Sequence, residues 1–359
     1  MVTLLNCIER IPSLIDGVLD KCDASFAAFD RYYEERKEKL NEIVFVGSGT
    51  SNTVSITAKP FVEKVTGLCT KAVYPNELTT ESCVYNPNAL YVFMSQTGTS
   101  IVVREVMAKL AGLGFACVSF TEAEGTMLAE ISPCHVVLNC GPEEYGQRTI
   151  GYTISVLNLM LLGLRIGLSR GRISKEQYDE YLSDVRKVPD SHRKITKDAE
   201  VWFEHNKRRF MRSDCIVFTG SDEFYGLSLE AAVKFWEMPQ VVSIGYELEE
   251  GMHGPNYGYS YPHLVIVFND GGRDAAKAKS LARYMKEVFD HGLMIGEDVI
   301  DENDLKIEAK SRYFKVLEYS AAPQVASYFL TEDGGRDLTK KPDHTVMNSY
   351  FMTHTETKN

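Results

Sequence analysis

Two short loops in this chain have the composition of an anion cradle. Residues 47–51 read Gly-Ser-Gly-Thr-Ser, and residues 95–100 read Ser-Gln-Thr-Gly-Thr-Ser. Glycine lets a backbone approach an anion closely, and hydroxyls and first-turn helix amides donate to phosphate oxygens. Ser48, Gly49, Thr50, Ser51, Ser95, Gln96, Thr97 and Ser100 are therefore the candidate phosphate ligands. Neither loop reads GxxxxGK(S/T), so a P-loop nucleotide site is excluded. Asn52 stands where a dinucleotide fingerprint needs its third glycine. Either loop alone would serve as a turn with a helix cap. Two of them at the same end of neighbouring strands favour a ligand.

A second set of residues could move protons. The stretch Leu227 to Glu237 reads as a helix with Glu230 and Glu237 two turns apart on one face. Glu237 sits in sequence among Phe235, Trp236 and Met238, and apolar surroundings raise a carboxyl pKa toward a value useful for catalysis. The plain alternative is a solvated carboxylate at a helix end. His253 follows in Glu249-Glu250-Gly251-Met252-His253-Gly254-Pro255, where Gly-Pro predicts a constrained turn. A lone histidine is more often structural than functional. The loops Gly220-Ser221-Asp222-Glu223 and Asn269-Asp270-Gly271-Gly272 occupy the matching places in this half. Their acids repel phosphate, which assigns the phosphate to the first half.

An internal repeat positions both sets. Ile43-Val-Phe-Val-Gly-Ser48 matches Ile216-Val-Phe-Thr-Gly-Ser221, and Leu90 to Gly98 matches Leu264 to Gly272 at nearly the same offset. Short apolar runs predict strands near 42–47, 90–95, 116–120 and 135–139, then near 215–219, 263–268, 292–295 and 313–318. Helical patterns fall between them at 51–66, 100–113, 225–237 and 273–291. Continuous apolar strands alternating with helices predict parallel, doubly wound sheets covered on both faces. Residues 1–36 predict a helical segment, 37–190 and 191–336 two α/β domains, and 337–359 a polar tail. Residues 151–187 read as a long apolar helix followed by a charged one.

Composition narrows the function classes. Hydrophobic residues make up 44% of the 359, enough for real cores, and the net charge is −11. That charge repels nucleic acid and anionic membrane, so a small-molecule partner is expected and neither of those. The eight cysteines form no CxxC pair or zinc spacing and read as buried free thiols in a reducing compartment. Glu9, Arg10 and Asp16 near the start do not suit a signal peptide. The apolar run Ile154 to Leu168 holds Asn158 and Arg165 and reads as a buried helix. A soluble, cytoplasmic protein is the expectation.

These motifs resemble the sugar-isomerase (SIS) domain family over essentially the whole chain. The loop Ser95 to Ser100 resembles the family's SQSGET-type loop, and Gly47 to Ser51 its first loop. Gly141-Pro142-Glu143, with Thr149 and Thr153, resembles the GPE…ST…T segment. Leu229-Glu-Ala-Ala-Val-Lys234 with Glu237 resembles the LEGALKLKE helix, and Met252-His-Gly-Pro255 its LKHGP turn, at the family's spacing. Ile8 to Pro12 resembles the family's leading helix. The resemblance implies two α/β/α sandwiches related by a pseudo-twofold axis. It implies that the two loops hold a sugar phosphate and its hydroxyls. It implies that Glu237 moves a proton between C1 and C2, and that His253 assists ring opening, reaching in from a neighbouring subunit of a homodimer or larger homo-oligomer. No metal or cofactor is called for.

Three departures shape the functional expectation. The chain is similar to the isomerase half of glucosamine-6-phosphate synthase but opens Met1-Val2, without that enzyme's second-position cysteine for drawing ammonia from glutamine. Aligned from Pro342, Met347 falls where the synthase carries a Schiff-base lysine, with Lys340 and Lys341 out of place. Gly146, Gln147 and Arg148 replace a small apolar stretch, so Arg148 either meets a substrate anion or is a surface arginine. A substrate that already carries an amine needs no such lysine. The expectation is a deglycase that converts a phosphorylated Amadori-type conjugate to a hexose 6-phosphate and a free amine or amino acid. The alternatives are an aldose–ketose or deaminating isomerase, and a non-catalytic sugar-phosphate sensor.

Overall fold

The structure, a computed structural model, describes residues 2–340 and 344–355. The chain forms two compact units, and neither is one stretch of sequence. One unit comprises residues 14–143, 154–180 and 340–359; the other comprises 1–13, 144–153 and 181–339. The sequence boundary at 190/191 falls inside a helix, Val188–Met211, that the apolar pattern does not announce.

The first unit holds a parallel sheet of β1 (Glu42–Val46), β2 (Cys69–Val73), β3 (Ala89–Met94), β4 (Ala116–Thr121) and β5 (His135–Val137), in the order β2-β1-β3-β4-β5. Every residue of β1, β3 and β4 is buried, as their unbroken apolar runs require. Val44, Val46, Tyr91 and Phe93 pack against Val103, Val106, Met107 and Leu110 of the helix Ile101–Gly112. The helix Leu4–Glu34 ends in this unit, where Arg165 pairs with Asp23 at 2.9 Å and with Asp30.

The second unit holds β6 (Cys215–Gly220), β7 (Ser243–Glu247), β8 (His263–Asn269), β9 (Gly292–Gly296) and β10 (Leu305–Lys306), in the order β10-β9-β8-β6-β7. Counted within each half, both sheets run 2-1-3-4-5, so the repeat in the sequence is a repeat of topology. Among the described residues, the helix Ile150–Ser169 alone is long and apolar enough to cross a membrane, and 94% of its apolar window is buried within the protein.

Four local expectations are corrected. Residues 313–318 are not a strand but lead into the helix Lys315–Tyr319. Ser311 Oγ accepts from the Phe314 amide at 2.8 Å, and the buried Asp184 carboxylate accepts from the amides of Arg312 and Tyr313, which starts a helix there. Leu305–Lys306 takes the edge beside β9 instead. The edge strands β2 and β7 escape the sequence pattern because they are partly exposed and mix polar with apolar residues. Residues 344–355 are not simply a polar tail. They include the helix His344–Asn348 and exposed Tyr350, Phe351 and Met352, and Thr353 accepts from the Ile101 amide at 3.0 Å. All eight cysteines are free, but Cys69 on β2 is exposed rather than buried.

Glu318, fully buried, accepts from the amides of Lys310 and Ser311 and from the Ser191 hydroxyl, while among the described residues its other oxygen has no hydrogen-bond partner. Burial pushes its carboxyl up to about 7 from the ordinary 4.5. Between those values the folded chain holds a proton that the unfolded chain has lost, so this group's contribution falls as pH rises through the window. Glu318→Gln should flatten that fall and raise stability above pH 7 by up to about 3 kcal/mol. Melting temperatures of both proteins from pH 5 to pH 8 check this; parallel curves would contradict it.

Candidate active site

The loops 47–51 and 95–100 leave the carboxyl ends of β1 and β3, which are hydrogen-bonded neighbours with Val46 opposite Phe93. Strand order reverses between these two strands, and in open α/β sheets such a switch point is where ligands bind. A Cβ on Gly47 would lie 2.8–2.9 Å from Ser51, so only glycine allows this turn. Gly49, at φ 58° and ψ −132°, leads into the helix Thr50–Thr66, whose first turn has no side-chain cap. Ser48 and Gly49 are exposed; Thr50 and Ser51 are half-buried.

In the second loop Ser95 is buried, Gln96, Thr97 and Ser100 are half-buried, and Thr97 Oγ1 lies 2.8 Å from Thr99 Oγ1. Gln96 Nε2 donates to Glu143 at 3.3 Å. Ser100 precedes the helix Ile101–Gly112 without capping it through its side chain. The tail flanks it: Thr353 accepts from Ile101, Thr355 donates to Thr99, and Arg104 donates to the Thr355 hydroxyl at 2.7 Å. Gly98 has φ 67°, and a Cβ there would lie 2.6 Å from Thr126 Oγ1. That hydroxyl is itself held by Thr121 and the Ala129 amide. Gly98→Ala should distort the loop at a cost of about 1–3 kcal/mol. The expected result is at least tenfold weaker hexose 6-phosphate binding by calorimetry; unchanged affinity would show that the loop does not hold the phosphate.

The proton-transfer candidates lie in the other unit. On the helix Glu223–Glu237, Lys234 is buried, with Nζ 3.3 Å from Glu230 and 2.6 Å from Glu237. Glu230 is buried too, whereas the Glu237 side chain is 41% exposed. This corrects the apolar setting expected for Glu237. Phe235 and Met238 are buried, but Trp236 is 52% exposed and donates to Ser243 O. Helical phase puts Glu237 over Lys234 and Glu230 and turns Phe235 the other way. The spacing of Lys234 to both glutamates, i−4 and i+3, is that of helical ion pairs. Arg336 caps the helix by donating to the carbonyls of Glu237 and Met238.

His253 follows the short helix Leu248–Gly251 and precedes Gly254, at φ 89°, so the foreseen turn is present. Its side chain is 70% exposed. Nδ1 lies 2.9 Å from the Glu249 carbonyl, which requires the hydrogen on Nδ1 and leaves Nε2 to exchange protons. Among the described residues Glu237 and His253 share no hydrogen bond or ion pair.

The second-half loops carry their own anions. Asp222, at φ 51° and ψ −123°, repeats the backbone of Gly49, and Arg273 pairs with Asp222 at 3.2 Å and Asp274 at 2.7 Å. The Arg273 guanidinium leads in holding the Asp274 carboxyl below its ordinary range. Arg148 is half-buried two residues before the helix Ile150–Ser169, in the unit that holds Glu237 rather than the cradle loops. The Thr149 carbonyl accepts from Gln324, and Thr153 meets Ser320, so these two serve packing. Met347 is half-buried on the helix His344–Asn348; Lys341 and Pro342 lie outside the described residues. Among the described residues no group of three or more His, Cys, Asp or Glu side chains could hold a metal ion.

Two parallel sheets of this order, with hydroxyl-rich loops at one switch point, define a double sugar-isomerase fold. The fold is that of SIS-type phosphosugar isomerase structures. It is 27% identical over 261 residues to a glutamine–fructose-6-phosphate aminotransferase (isomerizing) of Helicobacter pylori, a match covering 70% of this chain and 40% of the relative. The chain thus spans about two fifths of the length of the curated relatives it matches. A provisionally named phosphosugar isomerase from Clostridium difficile 630 superposes with a TM-score of 0.89 at 25% identity, covering 99% of this chain and all of that one. The C-terminal domain of glucosamine-fructose-6-phosphate aminotransferase from Francisella tularensis shares the fold, with a TM-score of 0.83 at 19% identity, covering 93% of this chain and 96% of that domain. No protein-family model matches the chain.

Proposed function

We propose that this chain is an enzyme of the phosphosugar-isomerase kind that acts as a sugar-phosphate deglycase. The observation that carries the finer reading is Met347 in the tail, where the resemblance calls for an imine-forming lysine. Without that lysine, the amine of any imine comes from the substrate. For a 1-amino-1-deoxyketose 6-phosphate, Glu237 takes a proton from C1, giving an enolamine, and a proton returned to C2 yields an imine at C1. Water adds to the imine carbon, the C1–N bond breaks, and the amine leaves with the proton. The products are a hexose 6-phosphate and an amine, with no change of oxidation state overall. His253 Nε2, with the ring hydrogen on Nδ1, takes the anomeric hydroxyl proton for ring opening. The loops 47–51 and 95–100 take the phosphate through hydroxyls and backbone amides.

A plain isomerisation is the second reading, favoured by the names of the relatives, and it needs the same Glu and His. The test is a panel of phosphorylated Amadori compounds, the matching glycosylamines and free hexose 6-phosphates. Amine release coupled to hexose 6-phosphate supports the deglycase. Aldose–ketose interconversion without amine release supports the isomerase. Binding of a sugar phosphate without any turnover would leave a sensor.

A further inference from the structure

At the second-half switch point the charged side chains form one connected series within a single unit. Arg273 joins Asp222 to Asp274. Lys277, in the first turn of the helix Ala275–Phe289, lies 3.7 Å from Asp274 and pairs with the Glu249 carboxylate. Glu249 Oε1 lies 3.4 Å from His253 Nδ1, the nitrogen that also meets the Glu249 carbonyl at 2.9 Å. The series therefore ends on the imidazole proposed for ring opening. The backbone beneath it is held as well. The Glu247 carboxylate accepts from the amides of Glu249 at 2.7 Å and Glu250 at 3.1 Å, and the buried Tyr259 donates its hydroxyl to the Gly251 carbonyl at 2.9 Å.

Two oxygens of one residue thus face His253 Nδ1, and among the described residues Nε2 makes no hydrogen bond. The Lys277 ammonium leads in holding the Glu249 carboxyl below its ordinary range, so near neutral pH the carboxylate is an anion and can only accept. Which imidazole nitrogen carries the hydrogen is set by the partners it meets, and both partners here call for it on Nδ1. We propose that Glu249, held in place by Lys277, is a positioning residue that keeps the His253 hydrogen on Nδ1 and the Nε2 lone pair free. Ring opening then breaks C2–O5 as Nε2 takes the proton of the anomeric hydroxyl and returns it to O5. The second-half loops, the counterparts of the cradle, thereby serve the histidine instead of a phosphate. The inference rests on the deglycase reading, in which His253 opens the ring.

The test compares a 1-amino-1-deoxyfructose 6-phosphate, which closes into a ring through O5, with its 5-deoxy analogue, which stays open. Glu249→Ala should lower kcat on the closing substrate about tenfold with KM unchanged, and leave the 5-deoxy analogue at the wild-type rate. Lys277→Met should act in the same sense, and Lys277→Arg, which keeps a cation against the carboxylate, should not. Glu249 is exposed and Lys277 half-buried, so these variants should keep the fold. Equal losses on both substrates, or no loss in Glu249→Ala, overturn the proposal. If the wild-type protein cleaves neither substrate, the deglycase reading fails on its own account. Wherever a substrate is not turned over, nitrogen NMR of His253 decides: an Nδ1–H ring in the wild-type protein that turns to Nε2–H in Glu249→Ala upholds the positioning role, and the same tautomer in both proteins overturns it.

Discussion

Replacing Glu237 by Gln is expected to lower turnover by about 10²–10⁴-fold while leaving sugar-phosphate binding intact. The amide keeps the shape of the side chain but cannot accept the C1 proton. The loops proposed to hold the phosphate lie in the other unit, on strands that do not involve this helix. Lys234 keeps its contact with Glu230, which still lies 3.3 Å from its Nζ. Single-turnover rates and a calorimetric titration with hexose 6-phosphate, run on both proteins, separate chemistry from binding. Equal rates would remove Glu237 from the mechanism, and equal loss of binding and rate would make it a binding residue. A sensor would show no dependence on this oxygen beyond its response to ligand.

Lys234→Met should be the most destabilising single change on the same helix. Lys234 and Glu230 are both about 1% exposed and pair with each other. Removing the ammonium leaves the Glu230 carboxylate buried with its ion-pair partner gone, which costs about 3–5 kcal/mol. Met fills much of the volume, so the loss is electrostatic rather than a cavity. The substitution also frees Glu237 from the group 2.6 Å away that positions it. Chemical denaturation of the variant should therefore show a lower midpoint at an unchanged slope. Adding Glu230→Gln should recover much of the loss, because the stranded charge is gone. If Lys234→Met alone were neutral, the buried pair would contribute nothing to the fold.

What could be read from the residues alone follows their burial. Strands β1, β3, β4, β6, β8 and β9 are buried almost throughout, so their apolar runs stand out in the sequence. Strands β2 and β7 are edges with one partner each, and their mixed composition hides them. The run at 313–318 has strand composition, yet two caps supplied by Asp184 and Ser311 make it the approach to a helix. One of those caps comes from far away in the chain, where no local pattern can report it.

The site divides in the same way. The duplicated strand–loop–helix pattern, the hydroxyls and glycines at 47–51 and 95–100, the acids in the matching loops and the methionine at 347 are properties of residue type and order. They were available from the sequence. Residue type also made Glu237 and His253 candidates. Only the tertiary structure decided that β1 and β3 lie side by side with their loops at one switch point. It alone buried Lys234 between two glutamates, left Glu237 facing solvent, and paired the tail at Thr353–Thr355 with Thr99–Ile101. Spacing along a chain determines which face of a helix or strand a residue takes. Burial and partners depend on segments distant in sequence, and these set the strength of a charge and the reach of a donor.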